Sequence, residues 1–256
     1  MNIHVFGRGF KDILIYGGDI HVSRVFEDAG GSAVNASVAL SNLGFETYIH
    51  SCLGNDRNGD YILEVLNTSG VNLRYLQRNM NETNLFVSRN NRPLAVNLNG
   101  ENDLLNMNFE YTSDDICLMF ATETDERLQS EIMDKNWAFV YVDLGPAYRN
   151  RSFERIRDHM IVIGNEAEAV NSECNIVKKG VNGALWDGIF VPGNGKKLPY
   201  TVGSGDLFDA FFIYSRYHFN DKREILNFCV TKSEEVSLIP GSSKKSLNLK
   251  INGTDS

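Results

Sequence analysis

The sequence has few of the features that mark disulfide-bonded, metal-binding or membrane proteins. Its four cysteines stand alone, and none belongs to a Cys-x-x-Cys pair. This spacing argues against zinc and redox motifs and is typical of free thiols in a reducing compartment. No run of about 18 apolar residues occurs, so no membrane span is expected, and the first residues show no signal peptide. We therefore expect a cytoplasmic protein without a membrane partner.

An excess of basic residues is also missing. The 256-residue chain has 25 Lys and Arg residues and 33 Asp and Glu residues, which gives it a formal net charge of −8. Nucleic-acid binding takes most of its affinity from a basic surface, so no nucleic-acid partner is expected. A small anionic ligand remains compatible with this charge, because it needs only a local site.

Two common nucleotide-binding motifs are absent as well. Lys196 in "GNGKK" lacks the glycine that a P-loop carries five residues before Gly195, where Phe190 stands. No Gly-x-Gly-x-x-Gly follows the first predicted strand. A nucleotide site in this chain therefore needs a different kind of loop.

What the sequence does contain is an alternation of strands and helices. The apolar stretches "DICLMFATE", "WAFVYVDLG" and "MIVIGN" alternate with helical stretches such as "DERLQSEIMDK". This order predicts an α/β fold with a mostly parallel sheet. Residues 12–29 and 82–101 carry strand patterns without intervening helices and are expected to form a small separate sheet, with a hairpin around Asn90 to Pro93. The polar end "SSKKSLNLKINGTDS" is expected to lie at the periphery.

The most informative stretch is "YTVGSGDLFDAFFIYSRYHF", in which a glycine-rich corner precedes an apolar helix. Gly203 and Gly205 let a ligand approach the backbone closely, and the first helical turn offers unpaired N–H groups to an anion. Asp206 lies in this turn, where an acidic residue that merely complements the helix dipole is the plain alternative. Because the helix is apolar nearly all round, its start is expected to face a cleft. An aspartate beside an anion site suits phosphoryl transfer to an alcohol.

The stretch "TVGSGDLFDAFF" resembles the signature of the ribokinase-like sugar kinases, the PfkB carbohydrate kinase family, which usually reads Asp-Thr-x-Gly-Ala-Gly-Asp before an apolar helix. A second stretch, "GGSAVNASVALSNLG", is similar to the family's Gly-Gly pair with a following asparagine. With smaller matches in the same order, the resemblance covers about residues 3–242. It implies one kinase domain over 1–256, a three-layer α/β/α sandwich with a mostly parallel sheet. A small β-sheet lid is implied for about 12–29 and 82–101.

The resemblance also implies roles for individual residues. Asp206 would be the catalytic base, and the backbone of Gly203, Ser204 and Gly205 would form the anion hole. Contacts with the acceptor are implied for four residues: Asp12, Gly30, Gly31 and Asn35. Contacts with the nucleotide are implied for another four: Lys179, Gly180, Gly183 and Gly241. The Asn-x-x-Glu pair of Asn165 and Glu168 would order magnesium through water, which suits an ion that usually keeps several waters.

These expectations describe an ATP- and Mg²⁺-dependent kinase that phosphorylates a primary hydroxyl of a sugar or sugar-like acceptor. A nucleoside kinase and a 2-keto-3-deoxygluconate kinase are the alternatives within the family. A non-catalytic sugar or nucleotide sensor is the alternative outside enzymes, and the presence of Asp206, Asn165 and Glu168 counts against it. Family members often pair through the lid, so the resemblance also implies a homodimer.

The chain departs from the family where the C-terminal signature opens. Tyr200 stands in place of the usual aspartate, and Val202 stands two positions further on. Many relatives are activated by potassium, which is held beside the anion hole by backbone carbonyls and by the residues at these two positions. Hard cations prefer oxygen ligands, and a carboxylate also offsets their charge. We therefore expect turnover to depend on magnesium but hardly on potassium.

Overall fold

The computed structural model describes residues 1–19, 21–99, 108–154 and 158–248. In chain order the strands are β1 Ile3–Phe6, β2 Phe10–Tyr16, β3 Arg24–Gly30, β4 Thr47–His50, β5 Cys52–Gly54, β6 Gln77–Asn79, β7 Asn84–Arg89, β8 Arg92–Asn97, β9 Ile116–Phe120, β10 Phe139–Asp143, β11 Met160–Asn165, β12 Ile176–Lys178, β13 Gly183–Trp186 and β14 Ile189–Pro192. The α-helices are α1 Ser32–Asn42, α2 Arg57–Thr68, α3 Glu126–Met133, α4 Ser204–His218 and α5 Lys222–Val236.

A sheet of eight strands forms the centre, in the order β14-β13-β12-β11-β10-β9-β1-β4. The strands from β4 to β12 in this order run parallel, and β13 and β14 form an antiparallel edge. The predicted mostly parallel sheet is thereby confirmed. A parallel sheet is buried on both faces, which agrees with the nearly continuous apolar sequence of its strands.

Helices cover this sheet on both faces, as the three-layer prediction requires. In β9, Ile116 and Leu118 pack into a core shared with α1, α4 and α5. The alternate residues Cys117 and Met119 pack into a second core, with α3 and Trp137. This division follows from the two-residue period of a strand, which directs successive side chains to opposite faces.

A second sheet of four strands lies apart from the first, in the order β3-β2-β7-β8, and is called the second sheet below. Its strands largely coincide with the two segments that the sequence singles out, although β2 begins earlier, at Phe10, and β3 ends later, at Gly30. Ile20, Gly100 and Glu101 of those segments lie outside the described residues. A short parallel pair, β5 and β6, accounts for the remaining strands of the described part.

The β7–β8 hairpin connects the second sheet to the segment that precedes α4. Asn90 and Asn91 form its tip with φ values of 49° and 65°, a left-handed conformation that asparagine tolerates better than most residues. Asn91 Nδ2 donates to the Pro199 carbonyl at 3.0 Å, and its Oδ1 accepts from the Thr201 N–H at 2.9 Å. The tip therefore holds residues 199–201 in place.

The first part of the polar C-terminal segment is buried, so the prediction of a peripheral position is wrong there. Residues Ser243–Asn248 form a 3-10 helix, and Ser242, Ser243 and Lys245 are completely buried. These polar side chains are tolerated inside because each finds hydrogen-bond partners. Residues 249–256 lie outside the described part of the chain.

All four cysteines are free thiols, as the sequence predicts. Within the described ranges, no helix combines the length and the apolar character needed to cross a membrane.

The first testable prediction concerns self-association through the second sheet. The registers Ile15↔Val25 and Ile13↔Val87 place these apolar side chains on one face, and Val25 is 60% exposed. Because such faces tend to be covered, we expect light scattering at micromolar concentration to give twice the mass of one chain. Val25→Glu should shift the protein towards the monomer, whereas Val170→Glu, at a 76% exposed valine elsewhere, should not. A monomeric wild-type protein would contradict this prediction.

Candidate active site

Polar side chains gather at the carboxyl ends of the parallel strands. These residues follow or end β1, β9, β10, β11 and β12, and they are Arg8, Glu123, Asp143, Asn165 and Lys178. The start of α4 lies at the same edge, because Lys178 Nζ donates to the Gly205 carbonyl at 3.3 Å. Ligands of open α/β sheets bind in the crevice outside these strand ends. The fold therefore places the candidate site here.

Residues Gly203–Gly205, called the anion corner below, turn the chain into α4. Gly203 has a φ of 77°, which glycine adopts without steric cost, and a Cβ there would lie 3.1 Å from Asn35 Nδ2. The first turn of α4 presents backbone N–H groups that lack helical acceptors. The Ser204 N–H, however, donates to the Thr201 carbonyl at 3.1 Å. Of the three N–H groups predicted to form the anion hole, those of Gly203 and Gly205 are thus better suited to an anion.

A hydrogen bond joins the two stretches of sequence that carry the strongest resemblance. Asn35 Nδ2, in α1, donates to Asp206 Oδ2, in α4, at 2.8 Å. Burial raises the pKa of Asp206 to about 6, and the hydrogen bond from Asn35 acts to lower it. The Asp206 carboxylate is therefore ionised at neutral pH and can accept a proton.

Asp206 lines a cavity of about 330 Å³, called the smaller cavity below. Asp12, Phe86 and Val96 of the second sheet line it from one side, and Asn35 and Asp206 belong to helices that pack on the large sheet. The cavity therefore lies between the second sheet and the strand ends of the large sheet. This position suits a sheet that covers a bound molecule.

Asp12, a predicted acceptor contact, is almost completely buried in the wall of the smaller cavity. Its Oδ2 accepts a hydrogen bond from the Ser242 hydroxyl, while its Oδ1 has no partner among the described residues. Asn35 Oδ1 is likewise buried and unpaired within that part of the chain. Buried polar atoms are normally hydrogen-bonded, so these two oxygens point to a ligand with hydroxyl donors. Burial raises the pKa of Asp12 to about 8.

Gly30 and Gly31, two predicted acceptor contacts, stand where the neighbouring groups leave no room for a side chain. A Cβ on Gly30 would lie 2.1 Å from the Asp12 carboxyl group, so any side chain would displace it. Gly31 caps α1 with a φ of 89°, and a Cβ there would lie 2.3 Å from the Arg8 carbonyl. Only Gly31 of this pair lines the smaller cavity.

Glu123 is a site residue that sequence reasoning missed. It lines the smaller cavity and accepts hydrogen bonds from the backbone N–H groups of Arg8, at 2.8 Å, and Ser32, at 3.0 Å. Burial raises its pKa to about 7, although these two N–H groups act to lower it. The available signal was an acidic residue just after a buried parallel strand, in "FATETDE".

On the other side of the anion corner lies a cavity of about 480 Å³, called the larger cavity. Its lining includes Gly180 and Gly183, two of the predicted nucleotide contacts, together with Phe208 and Val230 from the helices. The other two predicted nucleotide contacts lie outside its lining. Lys179 Nζ pairs with Glu166 at 2.7 Å.

Gly241 lies beside the second sheet. A Cβ on Gly241 would come 2.7 Å from Asp28 Oδ2, and the next N–H, that of Ser242, donates to the same oxygen at 2.7 Å. Its φ of 117° makes glycine the residue suited to this turn. The structure therefore gives Gly241 a role in shaping the segment that holds Asp12 and Asp28.

A buried ion cluster behind the anion corner was also missed from the sequence. Lys178 Nζ lies 2.6 Å from Asp143 Oδ2 and 3.1 Å from Asp209 Oδ1. Burial acts to lower the pKa of Lys178, but the two carboxylates outweigh it and the pKa is raised. Lys178 therefore carries a positive charge, and it also lines the larger cavity. The sequence gives no local sign of this cluster, because the partners of Lys178 lie 35 and 31 residues away in the chain.

Asn165 and Glu168, the predicted magnesium residues, bind each other. Glu168 Oε1 accepts from Asn165 Nδ2 at 2.6 Å, and Oε2 accepts from the Asn165 N–H at 2.9 Å. Asn165 Oδ1 accepts from the N–H of Ala167 at 2.9 Å. Across the described ranges, no group of three or more His, Cys, Asp or Glu side chains is arranged to hold a metal ion directly. The oxygen atoms of Asn165 and Glu168 suit an ion that is contacted through its water shell, as Mg²⁺ often is.

Part of the chain matches a known protein family. Residues 6–126 match the model of the pfkB family carbohydrate kinases. The matched segment is just under half of the 256-residue chain and carries similarity to the pfkB family carbohydrate kinases. The resemblance predicted from the sequence is thereby confirmed, although no curated protein matches the chain.

Solved structures show the same fold at low identity. A ribokinase from Cryptococcus neoformans var. grubii serotype A, in complex with ADP, is 17% identical with a TM-score of 0.73, and 96% of each chain is covered. The ribokinase of Arabidopsis thaliana, complexed with ribose and ATP, is 18% identical with a TM-score of 0.70, and 95% of each chain is covered. A protein from E. coli provisionally assigned as a ribokinase II, in complex with ATP and Mg²⁺, is 14% identical with a TM-score of 0.74, covering 96% of this chain and 95% of the other.

The second prediction concerns the pH dependence of turnover, with Asp206 as the expected base. Asp206 must be ionised to accept a proton, and its pKa is raised to about 6, so kcat should fall as the pH drops through this value. Asn35→Ala removes the hydrogen bond that lowers the pKa and should move this limb of the kcat profile to higher pH. The measurement is kcat between pH 5 and 8 with saturating substrates. An Asn35→Ala profile that coincides with the wild-type profile in shape would contradict the assignment.

Proposed function

We propose that the protein transfers the γ-phosphoryl group of ATP to a primary hydroxyl of a sugar or sugar-like acceptor. One observation carries this proposal: the anion corner and Asp206 form a wall between two cavities. Gly203 and Asp206 line the smaller cavity, whereas Ser204 and Gly205 line the larger one. A hydroxyl on one side and a phosphoryl group on the other can meet at this wall.

The smaller cavity suits the acceptor, and the larger cavity suits the nucleotide. Asp12 and Asn35 offer unpaired oxygens to hydroxyl donors in the smaller cavity. The larger cavity combines glycine turns with apolar side chains and the Lys178 ammonium, which suits an adenosine with a polyphosphate. Structures of similar proteins in complex with ADP, and with ribose and ATP, support a sugar and a nucleotide as the two ligands.

The reaction follows from these positions. The hydroxyl oxygen of the acceptor bonds to the γ-phosphorus of ATP while Asp206 takes the hydroxyl proton. The bond between the γ-phosphorus and the bridging oxygen breaks, and ADP is released. The N–H groups of the anion corner stabilise the negative charge on the moving phosphoryl group. Lys178 adds a positive charge on the nucleotide side.

Magnesium would supply charge neutralisation at the phosphates, as in other phosphoryl transfers. Asn165 and Glu168 would contact the ion through its water shell. Their side-chain oxygens already accept hydrogen bonds inside the chain, which leaves them less suited to bind the ion directly. Glu168 is buried, and burial raises its pKa. A nearby cation would therefore favour its ionised form.

The carboxyl groups that line the smaller cavity favour one class of acceptor. Asp12, Glu123 and Asp206 place three carboxyl groups in its lining, which favours a neutral polyol over an anion. Arg8 also lines this cavity, and that observation keeps an acidic sugar such as 2-keto-3-deoxygluconate as the second candidate. A nucleoside acceptor and a non-catalytic sensor are further outcomes of the test.

A panel of acceptors in a coupled ADP-release assay tests the proposal. Ribose, fructose, a nucleoside and 2-keto-3-deoxygluconate should be compared with an acceptor-free blank, with and without Mg²⁺. We expect ADP release with a neutral sugar and none without Mg²⁺. Binding of ATP without ADP release for any acceptor would favour the sensor.

The third prediction tests the base. Asp206→Asn keeps the size and the hydrogen-bonding contact but removes the proton acceptor. A positioned general base is worth about 10²- to 10⁴-fold in rate, so kcat should fall at least about 100-fold while ATP binding survives. Asp60→Asn, on the surface of α2 and paired with Arg78, serves as a matched control. Near-normal turnover in Asp206→Asn would refute its role.

The fourth prediction separates acceptor binding from nucleotide binding. Asp12→Ala removes an oxygen that we assign to the acceptor, so the acceptor KM should rise several-fold, up to about tenfold, as expected for the loss of one hydrogen bond. The KM for ATP should change little, because Asp12 lies outside the lining of the larger cavity. Initial rates with each substrate varied in turn provide the measurement. A loss of ATP affinity with an unchanged acceptor KM would show that the cavities are wrongly assigned.

A further inference from the structure

The completely buried Lys245 lies directly against the segment that leads into the anion corner. Its Nζ donates to the carbonyl oxygens of Tyr200, at 2.6 Å, and Val202, at 2.5 Å, and lies 3.4 Å from Ser204 Oγ. Among the described residues, its hydrogen-bond partners are backbone and hydroxyl oxygens and not a carboxylate. An ammonium group is thus bound as a small cation would be, by neutral oxygens.

Keeping a charge in this position is costly. A buried ammonium loses its hydration, and this loss is usually compensated by a direct ion pair. Burial lowers the pKa of Lys245 to about 7, whereas the carboxyl groups of Asp206, Asp28 and Asp12 act to raise it. Buried charges of this kind concentrate at functional sites.

The planarity of the peptide bond connects Lys245 to the anion corner. In a trans peptide, the C=O of one residue and the N–H of the next point in opposite directions. Where Lys245 holds the Tyr200 carbonyl, the Thr201 N–H points the other way and donates to Asn91 Oδ1. Where it holds the Val202 carbonyl, the Gly203 N–H must also point away from Lys245.

The Gly203 N–H is thereby directed into the site. Val202 and Gly203 both line the smaller cavity, and this N–H donates to no acceptor within the described ranges. If the 202–203 peptide were rotated, its carbonyl oxygen would replace the N–H and repel a phosphoryl anion. The orientation of this one peptide therefore decides whether the corner attracts or repels an anion.

We propose that Lys245 is a positioning residue that fixes the anion corner and supplies its positive charge from within the chain. It acts through the carbonyls of Tyr200 and Val202 and not by touching the phosphoryl group. The inference rests on the proposed kinase function. It adds Lys245 as a positioning residue, and it adds a property of the reaction. The property is turnover that needs no monovalent cation, because the ammonium already occupies the carbonyl oxygens.

The position of Tyr200 agrees with this inference. Its ring packs edge-on against Tyr16 of the second sheet, with ring centroids 4.7 Å apart. Its backbone carbonyl, rather than its side chain, accepts the hydrogen bond from Lys245. No carboxylate is required at position 200 if the cation is part of the chain.

The fifth prediction is tested first by removing the ammonium. Lys245→Ala should lower kcat at least tenfold while the KM values for ATP and acceptor stay within about threefold of wild type. Removing a direct donor of an anion hole costs about 10²- to 10³-fold, and a residue acting through the backbone should cost less. Lys244→Ala is the matched control, because this neighbouring ammonium contacts the Tyr61 hydroxyl at 2.6 Å and its side chain is 46% exposed.

The second measurement is rescue at constant ionic strength. Potassium or ammonium ions should restore Lys245→Ala activity at least threefold relative to tetramethylammonium, because carbonyl oxygens suit a small cation. The wild-type rate should change less than twofold in the same series. A purely structural lysine would not give an ion-specific rescue.

The third measurement does not depend on an acceptor. Calorimetry should show that Lys245→Ala binds ADP as wild type does but binds ADP with aluminium fluoride, a mimic of the moving phosphoryl group, at least tenfold more weakly. Should Lys245→Ala fail to fold, the same comparisons are made with Lys245→Gln, which keeps most of the length of the side chain and removes its charge. If neither variant folds, the wild-type cation series decides.

The outcomes separate the inference from the proposed function. A wild-type enzyme that loses most of its activity without potassium overturns the inference, as does a Lys245→Ala enzyme with near-normal kcat. A wild-type protein that phosphorylates no acceptor overturns the proposed function instead. In that case, equal binding of the phosphoryl mimic by wild type and Lys245→Ala would still overturn the role of Lys245.

Discussion

Much of the structure around the site serves to keep the Asp206 carboxylate ionised while it is withdrawn from water. Burial raises its pKa, and the Asn35 hydrogen bond counters that effect. The same bond ties α1 to α4 across 171 residues of sequence. Because a buried charge without partners is strongly unfavourable, the position of Asp206 depends on both helices packing correctly against the sheet.

The two cations near this aspartate perform different tasks. Lys178 is held by Asp143 and Asp209 and lies on the side of the larger cavity. Lys245 is held by neutral oxygens and controls the backbone that leads into the anion corner. One ammonium thus balances carboxylates, while the other orders peptide groups. Because only Lys178 has direct carboxylate partners, its pKa is raised, whereas burial lowers the pKa of Lys245.

The second sheet contributes to the site from both of its ends. Asp12 reaches the smaller cavity from β2, and Asn91 at the hairpin tip holds residues 199–201 from β7–β8. The tip also lines the larger cavity. A movement of this sheet would therefore affect both cavities at once, which suits a cover that closes over two substrates.

Short-range patterns determined much of the fold. The apolar strand runs, the hairpin asparagines and the glycine corner before α4 depend on residues close in sequence, so each could be recognised without coordinates. The same holds for Asn35 and Asp206, because each lies at a glycine-marked helix start. A local pattern constrains local backbone conformation, and this constraint survives in the folded chain.

Tertiary structure alone decided which other side chains join the site. Glu123, Asp143 and Lys178 lie at strand ends that look ordinary in sequence, and they come to the same side of the fold because parallel strands place their carboxyl ends at one edge. Gly241, a predicted nucleotide contact, lies outside the lining of the larger cavity and forms a turn beside Asp28. Lys245 lies in a polar stretch that suggested a surface position, yet its partners are 43 and 45 residues away. The burial and pKa of such a lysine depend on distant carbonyls and carboxylates, and no local pattern encodes them.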